Sequence, residues 1–87
     1  MTLVYTLKYS KTAAKDFQKL DVLVKRRIRE AIETKLVKDP LSASMKLRDF
    51  EIKGVRRFRV GNYRVFIFIS SRVIEVLRVG HRREIYK

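Results

Sequence analysis

The chain lacks cysteine altogether, and among its 87 residues it has one proline, one histidine and three glycines. Without cysteine, disulfides and thiolate metal sites are excluded, and a single histidine argues against a transition-metal site. No run approaches the roughly 18 consecutive apolar residues of a membrane span, and the start of the chain alternates instead of forming the apolar stretch of a signal peptide. We therefore expect a cytoplasmic protein that needs no metal and no cofactor.

Acidic residues are also scarce, which makes the chain strongly basic. Nine Asp and Glu stand against 22 Lys and Arg, so the formal net charge is +13. A balance of this kind attracts polyanions: nucleic acid, an anionic membrane surface or an acidic protein. The hydrophobic fraction of 46% argues against a disordered tail. We expect one folded domain over residues 1–87.

The first half of the chain predicts a strand followed by two helices. Residues 3–9 are β-branched and aromatic, with apolar residues on alternate positions, and predict a strand. Apolar residues at helical spacing follow. They predict a first helix, capped by Ser10 and reaching Leu20, and a second helix capped by Asp21. The Asp39-Pro40 pair should end the second helix, because a residue before proline avoids helical geometry.

Beyond Gly54 the hydrophobic period changes to two. Three strands are predicted, over Val55–Val60, Tyr63–Ile69 and Arg72–Val79, with tight turns at Gly61-Asn62 and Ser70-Ser71. The order is β-α-α-β-β-β, an α+β fold in which an N-terminal helical hairpin packs on an antiparallel sheet. Between the halves, residues 41–53 suggest a loop whose apolar residues, Met45, Leu47 and Phe50, reach back to the core.

Arginines recur at strand spacing in this second half. On the first late strand Phe58 shares a face with Val60, and Arg57 and Arg59 lie on the other face. Arg64, on the next strand, should point to the same side as these two arginines. Guanidiniums gathered on one face repel one another unless an anion sits among them, so the pattern predicts a phosphate-binding surface. The alternative is that the arginines only solubilise an exposed sheet face.

Further candidates lie at the C-terminal end and on the second helix. Tyr86 offers a ring on which a base can stack, and His81, otherwise structural, is a candidate proton acceptor. Additional contacts to an RNA or DNA backbone are predicted from basic residues alone, against the alternative of a solvated surface: Arg56, Arg83, Lys87, Lys25 and Arg26.

Residues 58–65, Phe-Arg-Val-Gly-Asn-Tyr-Arg-Val, and 78–86, Arg-Val-Gly-His-Arg-Arg-Glu-Ile-Tyr, resemble the RelE/ParE superfamily of bacterial and archaeal toxins. The similarity covers nearly the whole chain and implies a RelE-like fold. It implies the toxin of a type II toxin–antitoxin system, a metal-independent, ribosome-dependent endoribonuclease that cuts messenger RNA in the ribosomal A site. Attack by the substrate's own 2′-hydroxyl would leave a 2′,3′-cyclic phosphate.

The resemblance also assigns residue roles. Arg57 and Arg59 match the paired basic residues of RelE enzymes, and Arg64 matches the arginine that stabilises the phosphorane. Arg82 matches the proposed general acid, and Tyr86 the tyrosine that stacks on the substrate base. RelE enzymes carry lysines at the paired positions, and arginine cannot release a proton as lysine can. The general base is therefore open between His81, Tyr86 and a ribosomal group, unless electrostatics alone suffice.

The same resemblance implies partners and leaves two other functions to be tested. We expect a RelB-like antitoxin, the ribosome and messenger RNA as partners, with a monomer when free and a hetero-oligomer with the antitoxin. The first alternative is a ParE-like, non-enzymatic inhibitor of DNA gyrase, since that branch shares the fold. The second is a small basic nucleic-acid-binding protein without catalysis, which the charge alone would permit.

Overall fold

A computed structural model describes residues 5–47 and 53–81 of the chain. Within these ranges, five strands form a single sheet in the order β1-β5-β4-β3-β2. The strands are β1 (Thr6–Tyr9), β2 (Met45–Lys46), β3 (Val55–Val60), β4 (Tyr63–Ser70) and β5 (Val73–His81). The helices are α1 (Lys11–Gln18), α2 (Val22–Ala31), which continues as a π-helical turn over Ile32–Leu36, and α3 (Pro40–Ala43).

The α+β fold and the order of its main elements are confirmed, with differences in the sheet and in the predicted loop. Strands β2 to β5 are antiparallel, but β1 runs parallel to β5, so the sheet is mixed. The predicted loop contains α3 and β2. Met45 does not reach the core: it pairs with Arg57 on β3 and its side chain is 61% exposed. Phe50 lies outside the described residues.

Two side chains, one at each end of α1, fix the helix onto β5. Ser10 caps the helix by accepting a hydrogen bond from the N–H of Ala13 (3.0 Å), and its hydroxyl donates to the carbonyl of Leu77 (3.0 Å). Asp16 accepts the backbone N–H of Val79 (2.9 Å) and pairs with Arg78 (2.9 Å). Because β1 pairs with β5 only as far as Val76, α1 supplies the partners for the remaining edge of that strand.

The helices cover one face of the sheet and enclose the core with it. Residues from α1, α2 and the π-helical turn pack against alternate residues of the three long strands. The buried members of this cluster are Ala13, Phe17, Ile28, Ile32, Leu36, Phe58, Val60, Val65, Ile67, Ile74, Val76 and Val79. The opposite face of β3 and β4 is not covered by these helices, and it carries the arginines that strand parity singled out.

In the described part of the chain, every helix is too short or too polar to cross a membrane.

Candidate nucleic-acid interface

Three arginines lie on the face of the sheet turned away from α1 and α2, which we call the open face: Arg57, Arg59 and Arg64. The register of the β3–β4 hairpin places Arg59 directly opposite Arg64, and Arg64 lies next to Gly80 of β5. Arg57 is two residues along β3 from Arg59, opposite Phe66. The prediction that these arginines share a face is thus confirmed by the pairing.

Arg64 is held in place at the turn that joins β3 to β4. Its side chain is nearly buried, with 5% exposure, and one guanidinium nitrogen donates to the carbonyls of Gly61 (3.4 Å) and Tyr63 (3.3 Å). Gly61 has a φ of +58°, as the first central residue of a type II′ hairpin turn requires. The tight turn therefore fixes the carbonyls that orient the guanidinium.

The two open-face arginines of β3 differ in exposure. Arg57 is half-buried, and one of its guanidinium nitrogens lies 3.9 Å from the sulfur of Met45 on β2. Arg59 is exposed. Like charges directly across an antiparallel pair destabilise it, and Arg59 faces Arg64 in this way. An anion bound between them would remove that repulsion, which is why the pair is suited to a phosphate.

Arg56, predicted to bind RNA, is instead committed to the fold. It lies on the helix side of β3, where its Nε donates to the hydroxyl of Ser44 (2.7 Å). A terminal guanidinium nitrogen donates to the carbonyls of Leu41 (3.0 Å) and Ser44 (2.9 Å). The Ser44 hydroxyl donates in turn to the carbonyl of Pro40. Arg56 thus satisfies the last carbonyls of α3 and ties that helix to β3.

His81 also lies apart from the open-face arginines. It pairs with Tyr63, and the two rings meet edge to face with centroids 5.4 Å apart. Tyr63 belongs to the set of residues packed against the core. His81 is therefore on the helix side of the sheet, whereas Arg64 is on the open face. Its imidazole therefore lies on the opposite side of the sheet from Arg57, Arg59 and Arg64.

The other predicted contacts lie either on α2 or in the C-terminal residues outside the described ranges. Lys25 and Arg26 are on α2, away from the open face, and Lys25 lines a groove between β1, α1 and α2. The remaining predicted site residues lie outside the described residues: Arg82, Arg83, Tyr86 and Lys87. Their roles stay predictions.

The groove that Lys25 lines has an apolar floor and a charged rim. Its volume is about 570 Å³. The residues that line it are Leu7, Tyr9, Ala14, Phe17, Gln18, Lys25, Arg29 and Glu33. Burial raises the pKa of Tyr9, Arg29 opposes this shift, and Glu33 adds to it. The neutral phenol is therefore the favoured form in the folded protein.

A second cavity, which the sequence did not indicate, lies between α2 and the edge of β3. Its volume is about 270 Å³. The lining residues are Arg27, Glu30, Ala31, Thr34, Lys35, Phe58, Arg59 and Val60. Helical spacing offered one signal, since residues 27, 31, 34 and 35 share a face of α2 and its continuation. Only the fold shows that this face meets Arg59.

Comparison with known proteins identifies the family. Residues 7–86 match the family described as the ParE toxin of type II toxin–antitoxin systems, parDE. Toxin RelG of Mycobacterium tuberculosis is 32% identical over 85 residues, covering 95% of this chain and 97% of RelG. The chain belongs to the RelE/ParE superfamily of type II toxins. Toxin RelE3 of Methanocaldococcus jannaschii is 36% identical over 81 residues, which are 90% of this chain and 91% of RelE3.

Solved structures of the superfamily share the fold. The toxin–antitoxin complex RelBE2 from M. tuberculosis matches with a TM-score of 0.85 and 29% identity, over 97% of this chain and 98% of the matched chain. The RelE–RelB complex from Pyrococcus horikoshii matches with a TM-score of 0.73 and 28% identity, over 97% and 99% of the two chains. The RelE-like fold and the toxin class are therefore confirmed.

Proposed function

We propose that this toxin is a metal-independent endoribonuclease that cuts messenger RNA in the ribosomal A site. The observation that carries the proposal is the direct pairing of Arg59 with Arg64, with Arg57 one position further on the same face. Relatives named RelG and RelE3 support the RelE branch. A purely solubilising surface does not require one of these guanidiniums to be nearly buried, as Arg64 is.

In the proposed reaction, the 2′-oxygen of the substrate attacks the adjacent phosphorus, and the bond from phosphorus to the 5′-oxygen of the next nucleotide breaks. The products are a 2′,3′-cyclic phosphate and a 5′-hydroxyl. Arg64, held by the two carbonyls near the turn, is oriented before substrate arrives and stabilises the negative charge that develops on the phosphorane. Arg57 and Arg59 position the phosphate through bidentate contacts.

The base that accepts the 2′-hydroxyl proton is assigned to a group outside this trio, because a protonated guanidinium has no lone pair with which to accept a further proton. Arg82 would donate to the leaving 5′-oxygen, with the proton replaced from solvent, as the resemblance implies. The attacking 2′-hydroxyl would lose its proton to Tyr86 or to a ribosomal group, since His81 lies on the other side of the sheet. Tyr86 would also stack on the base.

An acidic antitoxin is the proposed regulator. The similar RelBE2 and P. horikoshii structures are complexes of a toxin with its RelB-type antitoxin. The charge of +13 favours an acidic partner, and the groove between β1, α1 and α2 offers it apolar floor residues such as Leu7 and Phe17 beside the basic Lys25 and Arg29. Binding there would leave the toxin as a hetero-oligomer.

The proposal is tested with the purified toxin, a defined messenger RNA and a reconstituted translation system. Primer extension should show new ends inside translated codons only when ribosomes are present, and the upstream fragments should end in a 2′,3′-cyclic phosphate. If the messenger RNA stays intact while it is translated at the normal rate, the proposal is contradicted and a binding protein without catalysis is favoured.

Gyrase inhibition is the second candidate, because the matched family is described by ParE. It predicts that the toxin blocks supercoiling of relaxed plasmid by purified gyrase and leaves messenger RNA intact. The same protein preparation should be used in both assays. Inhibition of gyrase together with uncut messenger RNA would replace the ribonuclease proposal.

A further inference from the structure

The cavity between α2 and β3, which we call the edge pocket, is built like a binding site for an anion. Three cationic residues line it, Arg27, Lys35 and Arg59, against one carboxylate, Glu30. In the ranges that the structure describes, none of these three cations forms an ion pair, whereas Arg78 is paired with Asp16. Cations that share a cavity without a carboxylate partner favour an anionic ligand.

Arg27 brings its charge to the same turn that orients Arg64. A Cβ atom placed on Gly61 would lie 3.5 Å from a terminal guanidinium nitrogen of Arg27 and 3.7 Å from its central carbon. The guanidinium of Arg27 therefore lies over the β3–β4 turn, while one of the carbonyls of that turn accepts from Arg64. The turn thus has the open face on one side and the edge pocket on the other.

The edge of β3 adds a neutral donor to the pocket. Val60 and Tyr63 flank the two-residue turn, so their backbone groups hydrogen-bond each other across the hairpin. Successive residues of a strand point their backbone groups to opposite sides, and the N–H of Arg59 therefore points away from β4. Val55 points its backbone groups to the same side of β3 as Arg59 does, and its carbonyl accepts a hydrogen bond from the N–H of Leu47 (3.1 Å). Strand β2 pairs only with Arg56 and Arg57, so the Arg59 N–H points past its end toward the pocket.

The size and floor of the pocket narrow the ligand class. A volume of about 270 Å³ is below the usual range for drug-sized ligands but admits a phosphate with part of its sugar. The floor, formed by Phe58 and Val60, is apolar, while the hydroxyl of Thr34 already donates to the carbonyl of Glu30 (2.8 Å). The donors toward a ligand are therefore the three cations and the Arg59 N–H.

We propose that the edge pocket binds a phosphodiester of the RNA strand, one that lies outside the scissile step. The strand would pass from the open face over Arg59, which borders both sites, and place a neighbouring phosphate between Arg27 and Lys35. The pocket then fixes the direction of the strand and adds affinity without taking part in bond cleavage. The choice of RNA as the source of the phosphate rests on the proposed function. The inference that the pocket binds an anion does not depend on that function.

Binding of a fluorescein-labelled single-stranded RNA tests the proposal, measured by anisotropy over a series of salt concentrations. The probe carries 2′-O-methyl groups, which prevent attack by the 2′-oxygen. Arg27→Ala and Lys35→Ala are compared with Arg72→Ala and Lys38→Ala, which remove the same charges at exposed positions outside the pocket. The control pair accounts for the loss of net charge.

Each pocket variant should weaken binding by about 3- to 10-fold at 0.1 M salt and flatten the dependence of log K on log salt by about 0.7 per lost phosphate contact, as for single strands. The controls should stay within about twofold of wild type. Equal losses in pocket and control variants would overturn the proposal. Pocket-specific losses in a protein that fails to cleave messenger RNA would support the pocket and reject only the ribonuclease.

Discussion

The two sides of β3 put the same residue type to different uses, as Arg56 and its neighbour Arg57 show. Arg56 lies on the helix side and donates three hydrogen bonds to the end of α3. Arg57 lies on the open face beside Arg59 and Arg64, on the side of the sheet away from α1 and α2. An arginine in a basic cluster is therefore a candidate for function only once its face of the strand is known.

Arg64→Lys should have the largest effect, because it keeps the charge and removes the planar group that the two carbonyls orient. We expect the rate of messenger RNA cleavage to fall by about 10²- to 10³-fold, as when one transition-state donor is lost. Cleavage in the reconstituted translation system measures it, with Arg72→Lys as the matched control. A rate within twofold of wild type would show that Arg64 acts only as a charge.

Arg59→Ala separates function from stability on the open face. Cleavage should fall by about 10-fold or more, since a phosphate contact is lost. The free energy of unfolding should rise by about 0.2–1 kcal/mol, because the repulsion with Arg64 across the hairpin is relieved. Urea denaturation measures this, beside the Arg72→Ala variant. A variant that is both less active and less stable would contradict a functional origin of the arginine pair.

Arg56→Ala should show the opposite pattern on the helix side. Losing the bonds to Ser44 and Leu41 leaves carbonyls at the end of α3 without their donor and should lower the free energy of unfolding by about 1–3 kcal/mol. Cleavage per folded molecule, corrected by circular dichroism, should stay at the wild-type rate. If cleavage falls while stability is unchanged, Arg56 contacts RNA and the division between the two faces fails.

Tyr9→Phe should have the smallest effect on stability, and it tests the groove between β1, α1 and α2. The folded-state pKa of Tyr9 is raised by burial, so its neutral form stabilises the fold fully below about pH 10, and that contribution is lost as the pH rises through the raised pKa. The phenylalanine variant should lose less stability than wild type as the pH rises above about 10. Thermal unfolding at several pH values measures this. Identical losses would mean that Tyr9 titrates as an exposed residue.

Much of the fold could be predicted because its signals are local. The β3 boundaries, the Gly61-Asn62 turn and the caps at Ser10 and Asp21 follow from residue type and spacing alone. The parallel pairing of β1 with β5 could not be predicted, since it joins segments far apart in sequence. The two-residue strand β2 was not predicted either, because two residues are too few to show a hydrophobic period.

The same difference between local and long-range signals applies to the candidate site. Parity placed the open-face trio correctly, since the Val60–Tyr63 pairing sets a register that alternation reads directly. The same alternation puts Arg56 with Phe58 and Val60 on the helix side, but it was grouped with the trio by charge. His81 was grouped by charge as well, because the predicted strand ended at Val79 and parity was not extended to it. The approach of Arg27 to the turn depends on how α2 packs, which no local pattern encodes.

The most direct test of the central claim is brief induction in a bacterial host, followed by primer-extension mapping of messenger RNA ends for wild type, Arg59→Ala and Arg72→Ala at equal abundance. If the open face is the catalytic surface, wild type and Arg72→Ala will produce new ends inside translated codons, and Arg59→Ala will produce far fewer. Growth arrest by all three proteins without new ends would contradict this account and point to a protein target such as gyrase.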